Sequence, residues 1–143
     1  MKALNEMKLS FKSKSINEGF ARGAVASFLM QLDPTVAQLA DIKTAVSEAV
    51  TNCIVHAYPD GEGMIYITAK VLEGRIFTVS VRDRGCGIPD IKQAMEPMFT
   101  TGGEERAGLG FAVMQSFTDK LRVSSRPGRG TTVTMTKQLN RND

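Results

Sequence analysis

Glu48, Asn52 and His56 recur at four-residue intervals in the stretch SEAVTNCIVHAY, Ser47 to Tyr58. On a helix of 3.6 residues per turn a step of four drifts by roughly 40°. A carboxylate, a carboxamide and the single histidine of the chain therefore form one polar stripe. Val46, Ala49, Val50, Cys53 and Ala57 leave the rest of the segment apolar. Such a stripe lines either solvent or a pocket. In a pocket, an Asn oxygen can ligate a hard cation such as Mg2+ without adding negative charge beside a polyphosphate. A Glu one turn earlier can take a proton from an attacking hydroxyl. His56 reads as a structural histidine or as the rim of the pocket.

A second acid, Asp83, ends the run RIFTVSVRD. Strand side chains alternate faces, so Asp83 shares the face of Phe77, Val79 and Val81. A carboxylate on an apolar face needs hydrogen-bond donors. The following turn can supply them, and so can a ligand amino group such as that of adenine; the residues alone allow both. Gly85 and Gly87 in DRGCGIP permit a tight bend and a close approach of backbone. Gly102, Gly103, Gly108 and Gly110 bracket a loop that runs into a helix. Unhindered N–H groups at a helix start cradle phosphate. No Gly-Lys-Ser/Thr follows, so this is not a Walker A loop.

The elements that must position these residues are readable in outline. Met7–Lys12 alternates as a short strand, and Asn17–Leu32 follows as a helix with an apolar stripe of Phe20, Ala24, Phe28, Leu29 and Leu32. Asp33-Pro34-Thr35 restarts the chain, with Asp33 as the cap-type residue, and the next helix is expected over Val36–Ala57. Met64–Leu72 and Arg75–Asp83 read as a hairpin joined at Glu73-Gly74. Pro89–Glu96 is expected as a short helix, PMFTTGGEERAG as a polar loop, Leu109–Thr118 as a helix, and RPGRG as the turn of a last hairpin. The pattern is α+β, a two-layer sandwich with a mostly antiparallel mixed sheet covered by helices on one face.

Composition narrows the class. The 143 residues are expected to form a single domain, 1–143. A hydrophobic fraction of 42% with 23% charged residues suits a folded globular chain. No apolar run approaches the roughly 20 residues that span a bilayer. The N-terminal MKALNEMKLSFKSKS lacks a signal-peptide core, so the cytoplasm is the expected location. Cys53 and Cys86 do not make a disulfide framework or a metal site. The net charge of +3 is mild, and Arg122, Arg126 and Arg129 are not accompanied by aromatics or a DNA-binding motif. Direct nucleic-acid binding is not expected.

Taken in order, E-x-x-x-N on a helix, D-x-G-x-G ending a strand, a glycine-bounded loop into G-L-G-F, and G-x-G-T-T resemble the GHKL ATPase superfamily, which includes gyrase and the histidine kinases. The matching boxes run from about Ser47 to Val133. The stretches FARGAVASFLMQLDPTVAQLADIKTAVSEAVTN and MEPMFTTGGEERAGLGFAVMQSF further resemble the small anti-sigma serine kinases of spore-forming bacteria. That resemblance implies the GHKL (Bergerat) ATP-binding fold and an ATP-dependent protein serine/threonine kinase. It implies Glu48 as general base and Asn52 as the Mg2+ ligand. Asp83 would accept the adenine amino group, and Gly85 and Gly87 would make room for base and ribose. The ATP lid would span about Met98 to Ala107, with Thr100, Thr101 and Arg106 on the phosphates. Gly108, Leu109 and Gly110 would present backbone N–H groups, and Thr131 or Thr132 would complete the adenine pocket. A homodimer with ATP or ADP would hold a sporulation sigma factor of the sigma F type inactive and phosphorylate a serine of its anti-anti-sigma antagonist. Arg22, expected opposite the apolar stripe of the first helix, is the candidate partner contact. A stress-response paralogue of the same chemistry, and a nucleotide-dependent docking module without kinase activity, are the alternatives.

Overall fold

The computed structural model describes residues 2–59, 61–88 and 104–139, with the side chains of 104–109 excepted. Its strands are β1 (Ala3–Lys12), β2 (Met64–Leu72), β3 (Ile76–Asp83), β4 (Lys120–Arg126) and β5 (Gly130–Gln138). Its α-helices are α1 (Asn17–Leu29), α2 (Val36–Asn52) and α3 (Glu104–Phe117). The five strands form one sheet in the order β1-β2-β3-β5-β4. All four pairings are antiparallel, so among the described residues the sheet is not mixed.

One face of the sheet carries Phe11, Ile65, Ile67, Ala69, Val71, Phe77, Val79, Val81, Val133 and Met135, all buried. The alternation is strict: β3 runs partly buried then buried from Ile76 to Asp83, with only Arg82 exposed. The three helices lie on this face, and α2 packs against both α1 and α3. Their contribution is Ala21, Val25 and Leu29 from α1, Ile42, Val46, Ala49 and Val50 from α2, and Phe111 and Met114 from α3. The outer face is polar, with Thr68, Lys70, Thr78, Ser80, Arg82, Thr132 and Thr134 around a shallow groove.

Several boundaries differ from the sequence reading. Strand β1 begins at Ala3, ahead of Met7, because its first residues still pair with β2. The buried stripe of this stretch is Ala21, Val25, Leu29 and Leu32, so the expected Leu29 and Leu32 are core residues while Ala24 and Phe28 are only partly buried. Phe20 is 59% exposed and meets Phe11 edge-on at 6.3 Å. The hairpin turn takes in Arg75, whose φ of 60° leaves β3 to start at Ile76. Helix α3 starts at Glu104, ahead of Leu109, so Glu104–Ala107 is helical and not part of a loop. The expected Pro89–Glu96 helix lies outside the described residues.

Helix α2, which carries the polar stripe, is started by Thr35 and not by Asp33. Thr35 Oγ1 accepts the Gln38 N–H at 3.1 Å, and Gln38 Oε1 accepts the Thr35 N–H at 2.9 Å, a reciprocal capping box. Asp33 instead takes a left-handed conformation, φ 49°, at the end of the 3-10 turn Met30–Leu32. Loss of such a cap costs about 1 kcal/mol. Thr35→Ala should therefore lower the Tm by about 3 °C in a calorimetric melt, and Thr35→Ser should recover most of it. An unchanged Tm in Thr35→Ala would show that α2 is not held at this end.

Candidate functional site

Asp83 is the centre of the site. It is 5% exposed, on the helix-covered face of β3 as its parity requires. Its Oδ1 accepts the Gly85 N–H at 2.9 Å and the Thr131 N–H at 3.2 Å. The carboxylate thus caps the turn that follows and lines a cavity as well, so the two readings of Asp83 hold together. Both backbone donors fall on one oxygen, which leaves Oδ2 for another donor.

Donors reach Asp83 because several backbones approach closely. Strand β5 pairs Thr131 with Asp83, and a Cβ on Gly130 would collide with the Asp83 carbonyl. A Cβ on Gly85 would collide with the Ala57 carbonyl, which accepts the Cys86 N–H at 2.8 Å. Gly87, at φ +78°, lies against the Arg126 carbonyl, and the Gly128 N–H bonds the Cys86 carbonyl at 2.7 Å. The glycine loop is stitched between the end of α2 and the β4–β5 hairpin.

The cavity itself is enclosed by Asn52, Cys53, His56, Asp83, Phe111 and Thr131 among others, and its volume is about 50 Å3. Among the described residues, neither amide atom of the buried Asn52 has a hydrogen-bond partner. A Cβ on Gly110 of α3 would stand only 2.9 Å from Asn52 Nδ2. An unpaired buried amide costs on the order of 1–3 kcal/mol, a cost that a ligand or an ion at this side chain would relieve. Its neutral oxygen is the kind of ligand that Mg2+ takes, and its Nδ2 can donate to a phosphate oxygen. Among the described residues no cluster of His, Cys, Asp and Glu forms a metal site by itself.

Two further residues complete the frame. Cys53 begins a π-helical turn, Cys53–Ala57, that follows α2. Burial pushes its thiol well above the usual range, and the negative charge of the nearby Asp83 carboxylate pushes the same way. Tyr58 donates to the Met64 carbonyl at 2.6 Å and accepts the Arg84 N–H at 2.8 Å. Burial raises the Tyr58 phenol, against the pull of that N–H. The sequence reading missed both roles.

Glu48 stands apart from this cavity. It lies half-buried in a separate open depression with Arg22, Lys43, Thr44 and Ser47. Arg22 flanks the buried stripe of α1 instead of opposing it. It pairs with Glu18 at 3.6 Å, and Glu18 accepts the Ser47 hydroxyl at 2.6 Å.

The histidine kinase-like ATPase domain family matches residues 12–137. An anti-sigma F factor of Caldanaerobacter subterraneus is 59% identical over 139 residues, covering 96% of each chain. The anti-sigma F factor of Bacillus subtilis is 49% identical, over 96% of this chain and 94% of its own. This chain belongs to the anti-sigma F factors. In fold, the family member resembles the RsbU and RsbW domains of a Mycobacterium tuberculosis protein, with a TM-score of 0.71 at 22% identity, over 96% of this chain and 33% of that one. A blue-light histidine kinase domain of Erythrobacter litoralis gives a TM-score of 0.60 at 24% identity, over 85% of this chain and 61% of that one. These likenesses carry the fold and no more.

Of the residues that the sequence of this anti-sigma family member singled out, Asn52, Asp83, Gly87 and Thr131 meet around one cavity, with Gly110 against Asn52. Gly85 serves the packing beneath it. Thr132 points to the opposite, outer face of the sheet and is excluded from the cavity by strand alternation. Glu48 and Arg22 share the neighbouring depression. Arg106, Gly108 and Leu109 lie in the helical backbone of α3 with undescribed side chains, and Thr100, Thr101 and most of the expected lid lie outside the described residues. Among the described residues no helix is long and apolar enough to cross a membrane.

Cys53 is buried and Cys86 is exposed, which fixes the order of their reactivity. At pH 8 an aromatic disulfide reagent should titrate one thiol promptly and the other only after unfolding. Cys86→Ser should abolish the prompt phase; its survival would show that Cys53 is not sealed in the site.

Proposed function

We propose that this chain binds ATP with Mg2+ in the Asp83–Asn52 cavity, captures a sporulation sigma factor, and phosphorylates a serine of the anti-anti-sigma antagonist. The observation that carries the nucleotide reading is the pairing of a buried, half-committed carboxylate with a buried, partnerless amide in one cavity. Asp83 Oδ2 accepts the exocyclic amino group of adenine. Asn52 Oδ1 holds the cation, which neutralises phosphate charge when bound. Thr100, Thr101 and Arg106 would then meet the phosphates, whereas the Gly108–Gly110 N–H groups, expected at a helix start, fall beyond the first turn of α3, where helical hydrogen bonds take them. The present volume of about 50 Å3 is far below the roughly 300 Å3 of a small-molecule pocket, so occupancy must widen the cavity.

The relatives named anti-sigma F factor support the regulatory half of this reading. The protein would act in the cytoplasm, as a homodimer. In the chemical step the seryl oxygen attacks the γ-phosphorus, its proton passes to the Glu48 carboxylate, and ADP leaves. Glu48 suits that role because it opens on a depression that a protein substrate can reach. Arg22 and Lys43 give the same depression two cations for an acidic partner.

The separation of Glu48 from the cavity also favours a second reading, a docking module that senses nucleotide without transferring phosphate. Incubation with Mg-ATP and the antagonist decides between them. Serine phosphate should form, and Glu48→Ala should slow it by at least about 100-fold with nucleotide affinity intact. A phosphate-free antagonist that nevertheless binds in an ATP-dependent way would establish the docking module. Normal phosphorylation by Glu48→Ala would remove Glu48 as the base.

Asp83→Asn places an amide where an acceptor is needed. It should weaken ATP binding by about tenfold or more in calorimetry, the worth of a hydrogen bond to a charged group. Unchanged affinity would take Asp83 out of the nucleotide site.

A further inference from the structure

Thr131 faces the cavity, but its hydroxyl is governed by a residue that does not. Ser125 on β4 accepts the Ile88 N–H at 2.8 Å, reaches the Gly130 carbonyl at 3.1 Å, and lies 2.8 Å from Thr131 Oγ1. A serine hydroxyl has one proton and two lone pairs. The Ile88 N–H takes one lone pair. The Gly130 carbonyl can only accept, so the Ser125 proton goes to it. The remaining lone pair can then be filled only by the Thr131 proton. One assignment satisfies all three contacts, and it turns the Thr131 hydroxyl proton away from the cavity.

We propose that Ser125 is a positioning residue that makes Thr131 a pure acceptor, so that the floor of the cavity excludes 6-oxopurines. The inference rests on the purine reading of the site. With Thr131 committed, the cavity presents the Thr131 lone pairs beside the Asp83 carboxylate. An exocyclic amino group meets acceptors there. The carbonyl oxygen of hypoxanthine or guanine would meet the same two acceptors and find no donor on Asp83 or on the Thr131 hydroxyl, and a buried acceptor without a donor is rejected strongly. The Thr131 N–H cannot serve as that donor, because it is bonded to Asp83 Oδ1. Releasing Thr131 from Ser125 lets its hydroxyl rotate and donate to a 6-oxo group.

The test compares ATP with inosine triphosphate by calorimetric titration of the full chain. The native protein should favour ATP, and Ser125→Ala should reduce the ATP-to-ITP affinity ratio about five- to tenfold, the worth of one hydrogen bond. General loosening of the Ile88 and Gly130 anchors would lower both affinities and leave the ratio alone. Ser125→Thr keeps the hydroxyl and should restore the ratio. Thr131→Val should also narrow it, and Ser125→Ala added to Thr131→Val should change it no further. An unaltered ratio in both single variants overturns the proposal. Binding of neither nucleotide by the native protein overturns the purine reading itself, a distinguishable failure.

Discussion

A carboxylate withdrawn from water must be met by donors, and the architecture around Asp83 follows from that requirement. The donors come from two separate segments: the Gly85 N–H just beyond β3 and the Thr131 N–H at the start of β5. Charge burial without such partners is prohibitive. Each donor requires a close backbone contact, and the glycines at 85, 87 and 130 are where those contacts occur. Substituting any of them would push apart the segments that solvate the acid.

Much of this was legible before any coordinates. The parity of Asp83 with Phe77, Val79 and Val81 put it on the covered face, and the glycine spacing marked the loop beside it. The same alternation separates Thr131 from Thr132, a choice that the adjacent threonines left open until the register with Asp83 was known. Helix faces were harder. Phe20 fits an apolar stripe by type, yet the small Ala21 is the residue that admits α1 against the sheet. Hydrophobicity alone cannot tell a large exposed ring from a small buried methyl. The capping box at Thr35 was hidden by the stronger-looking Asp33-Pro34. Hydroxyl relays such as Ser125–Thr131 leave no periodic trace, because they depend on pairing between strands.

The polar stripe of α2 divides its labour. Its 40° drift per step is enough to send Asn52 into the closed cavity while Glu48 emerges beside Arg22. The helix becomes a partition between a compartment built for a small ligand and a surface open to a large one. Charge follows that division: the closed side holds a carboxylate with an amide, and the open side holds the cations Arg22 and Lys43 with the acids Glu18 and Glu48. A group that reacts across the partition must be handed from one side to the other at the level of one helical turn.

The widened turn at Cys53–Ala57 sets the phase of everything downstream. Its extra residue swings the Ala57 carbonyl off the helix axis, where it receives the Cys86 N–H. Excising a single residue there would rewind the coil and rotate that carbonyl by about 100°, leaving the glycine loop without its anchor. Insertions and deletions should therefore be confined to the connection between this turn and β2, and chain length within the turn itself is fixed by geometry.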